Sequence, residues 1–142
     1  MSQSFVLNPI GVVRKTDDGA RIEIFDGFTD GLLGLEGFSH IYVFYWFDQN
    51  DTLEKRQTLQ VHPRKDPGNP LTGVFATHSP ARPNLIALTR CKIVAITGNI
   101  IEIEDIDAHD ESPVIDIKCY IPHENEAVRL PDWVGMNRED SG

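Results

Sequence analysis

Hydrophobic and polar residues alternate along most of this chain with a period of two. In ARIEIF, Ile22 and Ile24 share one parity and Arg21 and Glu23 the other; in NIIEIEDI, Ile101 and Ile103 stand against Glu102 and Glu104. Successive side chains of a strand point to opposite faces. The pattern therefore predicts strands with one face in a core and one in water, as in an antiparallel sheet. FSHIYVFYWF, Phe38 to Phe47, is apolar at both parities after its start. It reads as a central strand covered on both sides, or as one whose outer face meets another subunit. VVRKT, LTRCKIVAI and PVIDIKCYI supply further strands, and Gly98-Asn99 predicts a hairpin between two of them.

Helix signals are sparse. One turn is expected around Asp30 to Leu35 in GFTDGLLGLEG, where Gly31, Gly34 and Gly37 oppose anything longer. DTLEKRQTLQ fits either a short helix or an irregular excursion. There is no repeat, heptad or low-complexity tract. The chain turns polar from Glu124, and NREDSG, from about residue 137, is expected to fray. Six or seven short strands in 142 residues predict a mainly β fold. It is expected as one domain, 1–142, forming a small closed antiparallel β-barrel, an arrangement that leaves no sheet edge exposed.

Composition adds little: 40% hydrophobic and 25% charged residues are ordinary globular values, and no apolar run reaches the length of a membrane helix. The beginning, MSQSFVLNPIGVVRK, lacks the basic flank and long apolar run of a secretion signal, so a cytoplasmic protein is expected. Cys91 and Cys119 are then expected as reduced thiols in the core. Charge is more telling. A net −9 argues against indiscriminate nucleic-acid binding, yet between Asp51 and Lys92 seven basic residues face three acids. That local excess of +4 leaves −13 for the rest of the chain. The segment is either a solvated charged face or a surface for an anionic ligand or RNA backbone.

His40, His62, His78, His109 and His123 show no i, i+4 spacing and no neighbouring Cys-x-x-Cys, so no metal site is expected. Ser79 lies in no G-x-S-x-G elbow, and the Gly-rich phosphate loops are absent. What remains is three polar clusters at strand ends. In VHPRKDPGNP, His62 and Arg64 flank a proline. In THSPARPN, Pro80 and Pro83 remove two backbone donors, which excludes an ordinary interior strand. The same prolines stiffen a loop presenting His78, Arg82 and Asn84, and a stiff loop loses little entropy on binding. It is either a recognition loop or a proline-rich corner between barrel strands. EDIDAHDESP, followed by Asp116 and Lys118, reads as a calcium-like turn, a solvated acidic loop or a cradle for a cationic ligand. Its spacing fits no EF-hand.

Several phrases together, IGVVRK, GLEGFSHIYVFYWF, VHPR, GVFATHSPARPN with IALT, and DIDAHD with SPVIDIK and a following Tyr, resemble the TsaA-like family from about Ile10 to Pro122. The resemblance implies a single β-barrel that uses S-adenosyl-L-methionine as methyl donor and acts on tRNA, methylating N6 of the threonylcarbamoyl-adenosine beside the anticodon. It implies donor-binding residues at Asp48, Gln49, His78 and Leu88 and in the turn Asp107, Ala108, His109 and Asp110. Arg64, Arg82 and Asn84 become candidates for holding the RNA or the threonyl carboxylate, and Asp116 and Tyr120 for handling the proton. It also implies a homodimer, which would cover one face of the aromatic strand; the alternative cover is the segment Pro122 to Met136 of the same chain. Three positions depart from the family pattern: Leu85 and Cys119 replace prolines, and Glu111 replaces a glycine. Two other readings of the same barrel are a methyltransferase with a small-molecule acceptor and a non-catalytic RNA- or anion-binding module.

Overall fold

The computed structural model describes residues 2–124 and 126–134; the tail expected to fray, and Met136 of the candidate cover, lie outside them. The chain divides into two compact units. One is built from the segment up to Asp48 together with Ile86–Tyr120, the other from Gln49–Leu85 and the segment after Tyr120.

The first unit is the expected barrel, with six strands: β1 (Gly11–Thr16), β2 (Gly19–Ile24), β3 (His40–Trp46), and, after the second unit has contributed α1 (Leu53–Arg56), β4 (Gln60–Val61) and β5 (Thr72–Gly73), the strands β6 (Ile86–Thr97), β7 (Ile100–Ile103) and β8 (Pro113–Cys119). Its closed order is β1-β2-β7-β6-β3-β8, with every neighbouring pair antiparallel. The Gly98-Asn99 hairpin forms as read, pairing Thr97 with Ile100, with Gly98 at φ +60°. β1 and β2 form a second tight hairpin that pairs Thr16 with Gly19. At Gly11 the chains approach so closely that a Cβ would lie 2.5 Å from the Glu23 carbonyl oxygen.

Alternation decides which side chains fill the barrel. Val13, Ile22, Ile41, Val43, Ile101 and Val114 are fully buried, and Ile24 and Ile103 nearly so. Each such residue contributes about 1.5–3 kcal/mol on burial. A barrel this small is filled by its own side chains, so a ligand must be taken at its ends or on its outside. The aromatic strand β3 splits by parity: Ile41, Val43 and Tyr45 are buried, whereas Tyr42, Phe44 and Trp46 are half-buried on the outer face. Of the two cysteines, Cys91 is a free thiol buried in the core as expected. Cys119, also free, is only half-buried, because it closes β8 where the strand leaves the barrel.

The expected turn at Asp30–Leu35 starts earlier, as 3-10 turns at Asp26–Leu32 and Leu35–Gly37 broken by Gly34 at φ +88°. DTLEKRQTLQ resolves as the single helical turn α1, because the Thr52 hydroxyl caps it by accepting the Lys55 amide at 3.2 Å. In the second unit β4 and β5 form a two-stranded ribbon. GVFATHSPARPN leaves its strand earlier than its prolines require: β5 ends at Gly73, well before Pro80, the chain makes a 3-10 turn at Val74–Ala76, runs as loop through both prolines, and resumes as strand at Ile86.

Candidate functional site

The acidic turn after β7 is ordered by β1. The Lys15 amide donates to Asp110 Oδ1 at 2.8 Å, and its ammonium donates to the Ile106 carbonyl at 2.6 Å. Glu111 N donates to the Val13 carbonyl at 2.7 Å, and Val13 N to the Ser112 carbonyl at 2.9 Å. Within the turn, buried Ser112 donates from both its amide and its hydroxyl to the His109 carbonyl. Ile106 and Ala108 point into the core, which leaves Asp107, His109 and Asp110 exposed. Glu111 takes a left-handed φ of +71°. Asp107 also acts on the barrel's polar end. Burial is the larger cause that raises the Tyr45 phenol and pushes the Cys91 thiol up to about 12; the Asp107 carboxylate adds to both shifts, and Asp105 adds to that of Cys91. The Tyr45 hydroxyl lies 3.2 Å from that of Thr89.

The outer face of β6, β3 and β8 is laid out in cross-strand rows. Leu88, Phe44 and Asp116 form one row, and Arg90, Tyr42 and Lys118 the next. Lys92 and His40 are paired in the third, where the Tyr120 amide donates to the His40 carbonyl at 3.1 Å. The Tyr120 ring is gripped from several sides. Tyr42 and His40 meet it edge-on at 5.2 and 6.1 Å, and the Arg90 guanidinium lies 5.1 Å from its centroid while donating to its hydroxyl at 3.4 Å. Asp116 is exposed and accepts the Ile117 amide at 2.8 Å. Asp48 follows β3 and is exposed.

The second unit holds Gln49, Arg64, His78, Arg82 and Asn84. Its proline-stiffened loop is also tied by side chains. Thr77 donates to the Val74 carbonyl and accepts the Ser79 amide, the Ser79 hydroxyl accepts the Ala81 amide, and Arg56 Nε donates to the Pro83 carbonyl at 2.9 Å. Arg82 Nη1 donates to the carbonyls of Thr77 and Ser79, at 3.2 and 3.1 Å, on either side of His78. His78 and Asn84 are exposed. Arg64 sits in a second loop at φ +60°, closed by His62 Nδ1 near the Asn69 carbonyl and by Asn69 donating to Pro63; it donates to the Val134 carbonyl at 3.2 Å. Among the described residues, no three His, Cys, Asp or Glu side chains come together as a metal site.

The family model described as the tRNA-methyltransferase O N-terminal domain matches residues 8–126. The chain belongs to this family. Among its relatives, one of Methanocaldococcus jannaschii, named a probable S-adenosyl-L-methionine-binding protein, is 50% identical over 116 residues, covering 82% of this chain and 92% of that protein. A protein of Archaeoglobus fulgidus named an S-adenosyl-L-methionine-binding protein is 41% identical over 132 residues, covering 82% of this chain and 90% of that one. The mouse tRNA (adenine(37)-N6)-methyltransferase is 40% identical over 101 residues, 71% of this chain but only 23% of the mouse protein. In fold the chain matches two crystal structures of TrmO. One gives a TM-score of 0.70 at 24% identity, the other, from Pseudomonas aeruginosa, 0.68 at 22%; they cover 94% of this chain and 65% and 64% of the TrmO chains. The chain thus spans just under two thirds of the solved TrmO chains and about nine tenths of the two S-adenosyl-L-methionine-binding relatives above.

Within the TrmO fold seen here, the residues singled out from sequence fall into groups. Leu88 and Asp116 flank Phe44 in one row, Tyr120 joins the neighbouring rows, and Asp107–Asp110 form one turn. His78, Arg82 and Asn84 share one loop, and Arg64 stands in another. Sequence reasoning passed over Lys15, Arg56, Arg90 and Tyr42. Lys15 lies 95 residues from Asp110, and no local pattern carries that pairing. The signal for Arg90 and Tyr42 was present: alternating polar residues in LTRCKIVAI opposite an aromatic strand.

Proposed function

We propose that this chain is an S-adenosyl-L-methionine-dependent methyltransferase that methylates N6 of the threonylcarbamoyl-adenosine next to the anticodon of tRNA. The observation that carries the reading is the ordered acidic turn Asp107–Asp110, in a family whose members include proteins named for S-adenosyl-L-methionine binding and for tRNA adenine-37 N6 methylation. The donor supplies an electrophilic methyl on a sulfonium cation, and exposed carboxylates on a fixed backbone suit a positively charged ligand better than a bare apolar pocket would.

In this reading Asp107, Ala108, His109 and Asp110 hold the donor, with Asp48, Gln49, His78 and Leu88 as further contacts. Asp110 accepts the Lys15 amide on Oδ1 and keeps Oδ2 to accept a ligand hydroxyl. Ala108 is small and buried, so its backbone is held still for a base edge. Arg64, Arg82 and Asn84 position the acceptor through phosphate or the threonyl carboxylate, and alignment carries much of the rate in such a transfer. As the new N–C bond forms and the donor's S–C bond breaks, the nitrogen's proton passes to the Asp116 carboxylate, directly or relayed through the Tyr120 hydroxyl, which gives up its own proton to Asp116 as it takes one and which Arg90 orients. The proposed protein is cytoplasmic and homodimeric, a second copy covering the apolar end of the outer barrel face around Trp46 and Ile86. No helix among the described residues is long and apolar enough to cross a membrane.

Calorimetric titration with S-adenosyl-L-methionine, beside the His78→Ala variant, tests the donor. Saturable binding that the substitution removes is the expected result, and absence of binding by folded protein refutes the reading. Labelled donor offered with threonylcarbamoylated tRNA then tests the acceptor. Donor binding without label in the tRNA would favour a small-molecule acceptor, a reading consistent with archaeal relatives named only for donor binding.

A further inference from the structure

The outer face of β6, β3 and β8 changes character along the strands. Ile86 and Leu88 are exposed beside Trp46 and Phe44; two residues further on, the same faces present Arg90, Tyr42 and Lys118, then Lys92 and His40 with Tyr120. Three cations therefore border three aromatic rings on one sheet surface of a chain whose net charge is −9. The rings are held in place by edge contacts, and Arg90 is held over the Tyr120 ring. Acids stand at the margins. Glu104 pairs with Lys92 at 3.8 Å and, with Asp105, lines a shallow concavity of about 210 Å³ beside His40 and Arg90; Asp116 lies one row away. Among the described residues, Arg90 and Lys118, on opposite sides of Tyr42, take part in none of the ion pairs.

We propose that the rows Arg90–Tyr42–Lys118 and Lys92–His40–Tyr120 form a binding surface for unpaired nucleotides of an RNA. Bases lie against Tyr42 and His40, and the backbone phosphates pair with Arg90 and Lys118. Every base has a π face, so an aromatic flanked by cations takes single-stranded nucleic acid without needing its sequence. Position supports this occupant over others. The neighbouring row holds Leu88 and Asp116, assigned above to the donor and to proton transfer, and rows two residues apart are separated by only about 6.8 Å. A nucleotide adjacent to the methylated one would fall on these rings. The inference rests on the tRNA reading and extends it to the bases flanking the target.

The test measures binding of a tRNA transcript and of a 12-nucleotide oligouridine to wild type, Arg90→Glu/Lys118→Glu and Tyr42→Ala, across a salt series. Circular dichroism and S-adenosyl-L-methionine titration check each variant. The double variant is expected to lose at least tenfold in affinity and about 1.4 units of log–log salt slope, two phosphate contacts' worth on a single strand. Tyr42→Ala is expected to lose roughly tenfold with its slope unchanged. Folded variants that bind both RNAs as wild type does would overturn the surface alone. Wild type that binds the donor but neither RNA would overturn the tRNA reading and the surface with it. Loss of self-association in sedimentation, with RNA affinity intact, would assign the face to a second copy and overturn the proposal.

Discussion

The main-chain amide of Lys15 donates to the Asp110 carboxylate at 2.8 Å, joining the end of the first strand to an acidic turn 95 residues later. The same residue's ammonium reaches the Ile106 carbonyl at 2.6 Å. One lysine thus fixes both sides of Asp107–Ala108–His109. With the Glu111–Val13 and Val13–Ser112 main-chain bonds, this tie holds the acidic turn against β1 as a shaped surface.

Lys15→Met keeps the amide bond and removes the ammonium. The expected result is a loss of about tenfold in S-adenosyl-L-methionine affinity, the scale of one charge-assisted hydrogen bond, with partial recovery in Lys15→Arg. Calorimetry reads the affinity, and a thermal melt separates it from general destabilisation. Equal affinity in all three proteins would show that the turn holds its shape without Lys15.

Arg82 was singled out from sequence as a substrate contact, and the structure gives its guanidinium two loop carbonyls that bracket His78. Arg82→Ala is therefore expected to weaken donor binding as well as tRNA binding, by about 1–3 kcal/mol in the former. A variant that loses only tRNA affinity would confine the arginine to the acceptor.

Glu111 occupies a position where the family pattern has glycine, and its φ of +71° explains why. A side chain in the left-handed region costs about 1–2 kcal/mol, which glycine avoids. Glycine's greater freedom in the unfolded chain offsets part of that, and the exposed 3.8 Å pair with Arg14 counts for little. Glu111→Gly is expected to raise stability by about 0.5–1 kcal/mol in a denaturant titration. A loss would place a larger share of the stability on the Arg14 pair.

Gly11 faces the opposite constraint. Its Cβ would sit 2.5 Å from a backbone oxygen of β2, which cannot move without disturbing the β1–β2 ladder. Gly11→Ala should cost about 1–3 kcal/mol, read as a lower denaturation midpoint. A neutral result would mean that the hairpin opens at that end.

Cys91 is buried, and its thiol is pushed up from 9.0 to about 12 by desolvation first and by Asp105 and Asp107 second. Between those values the unfolded chain releases a proton that the native state keeps. Stability from this group is therefore full below about pH 9 and declines as pH rises toward 12. At pH 8 a thiol reagent should label Cys119 and spare Cys91 until the protein is unfolded. The alkaline loss of stability should be smaller in Cys91→Ala. Rapid native labelling of Cys91 would refute its burial.

Alternation was enough to determine most barrel strands and the core-facing side chains of β2 and β7, and the backbone freedom of Gly98-Asn99 marked the hairpin; in β3, apolar at both parities, only the closed barrel decided that Ile41, Val43 and Tyr45 face inward. Two prolines kept the loop between Ala76 and Ile86 out of any strand, since a missing donor acts locally, but the strand before them ends earlier, at Gly73. Motif spacing across most of the chain carried the family. The closed order β1-β2-β7-β6-β3-β8 was decided only by tertiary structure, as was the capture of the acidic turn by Lys15. So were the use of Arg82 to hold its own loop and the rows that set Arg90 and Lys118 on either side of Tyr42. Each of these is a meeting of residues far apart in the chain, fixed by register and by hydrogen bonds that no local pattern encodes.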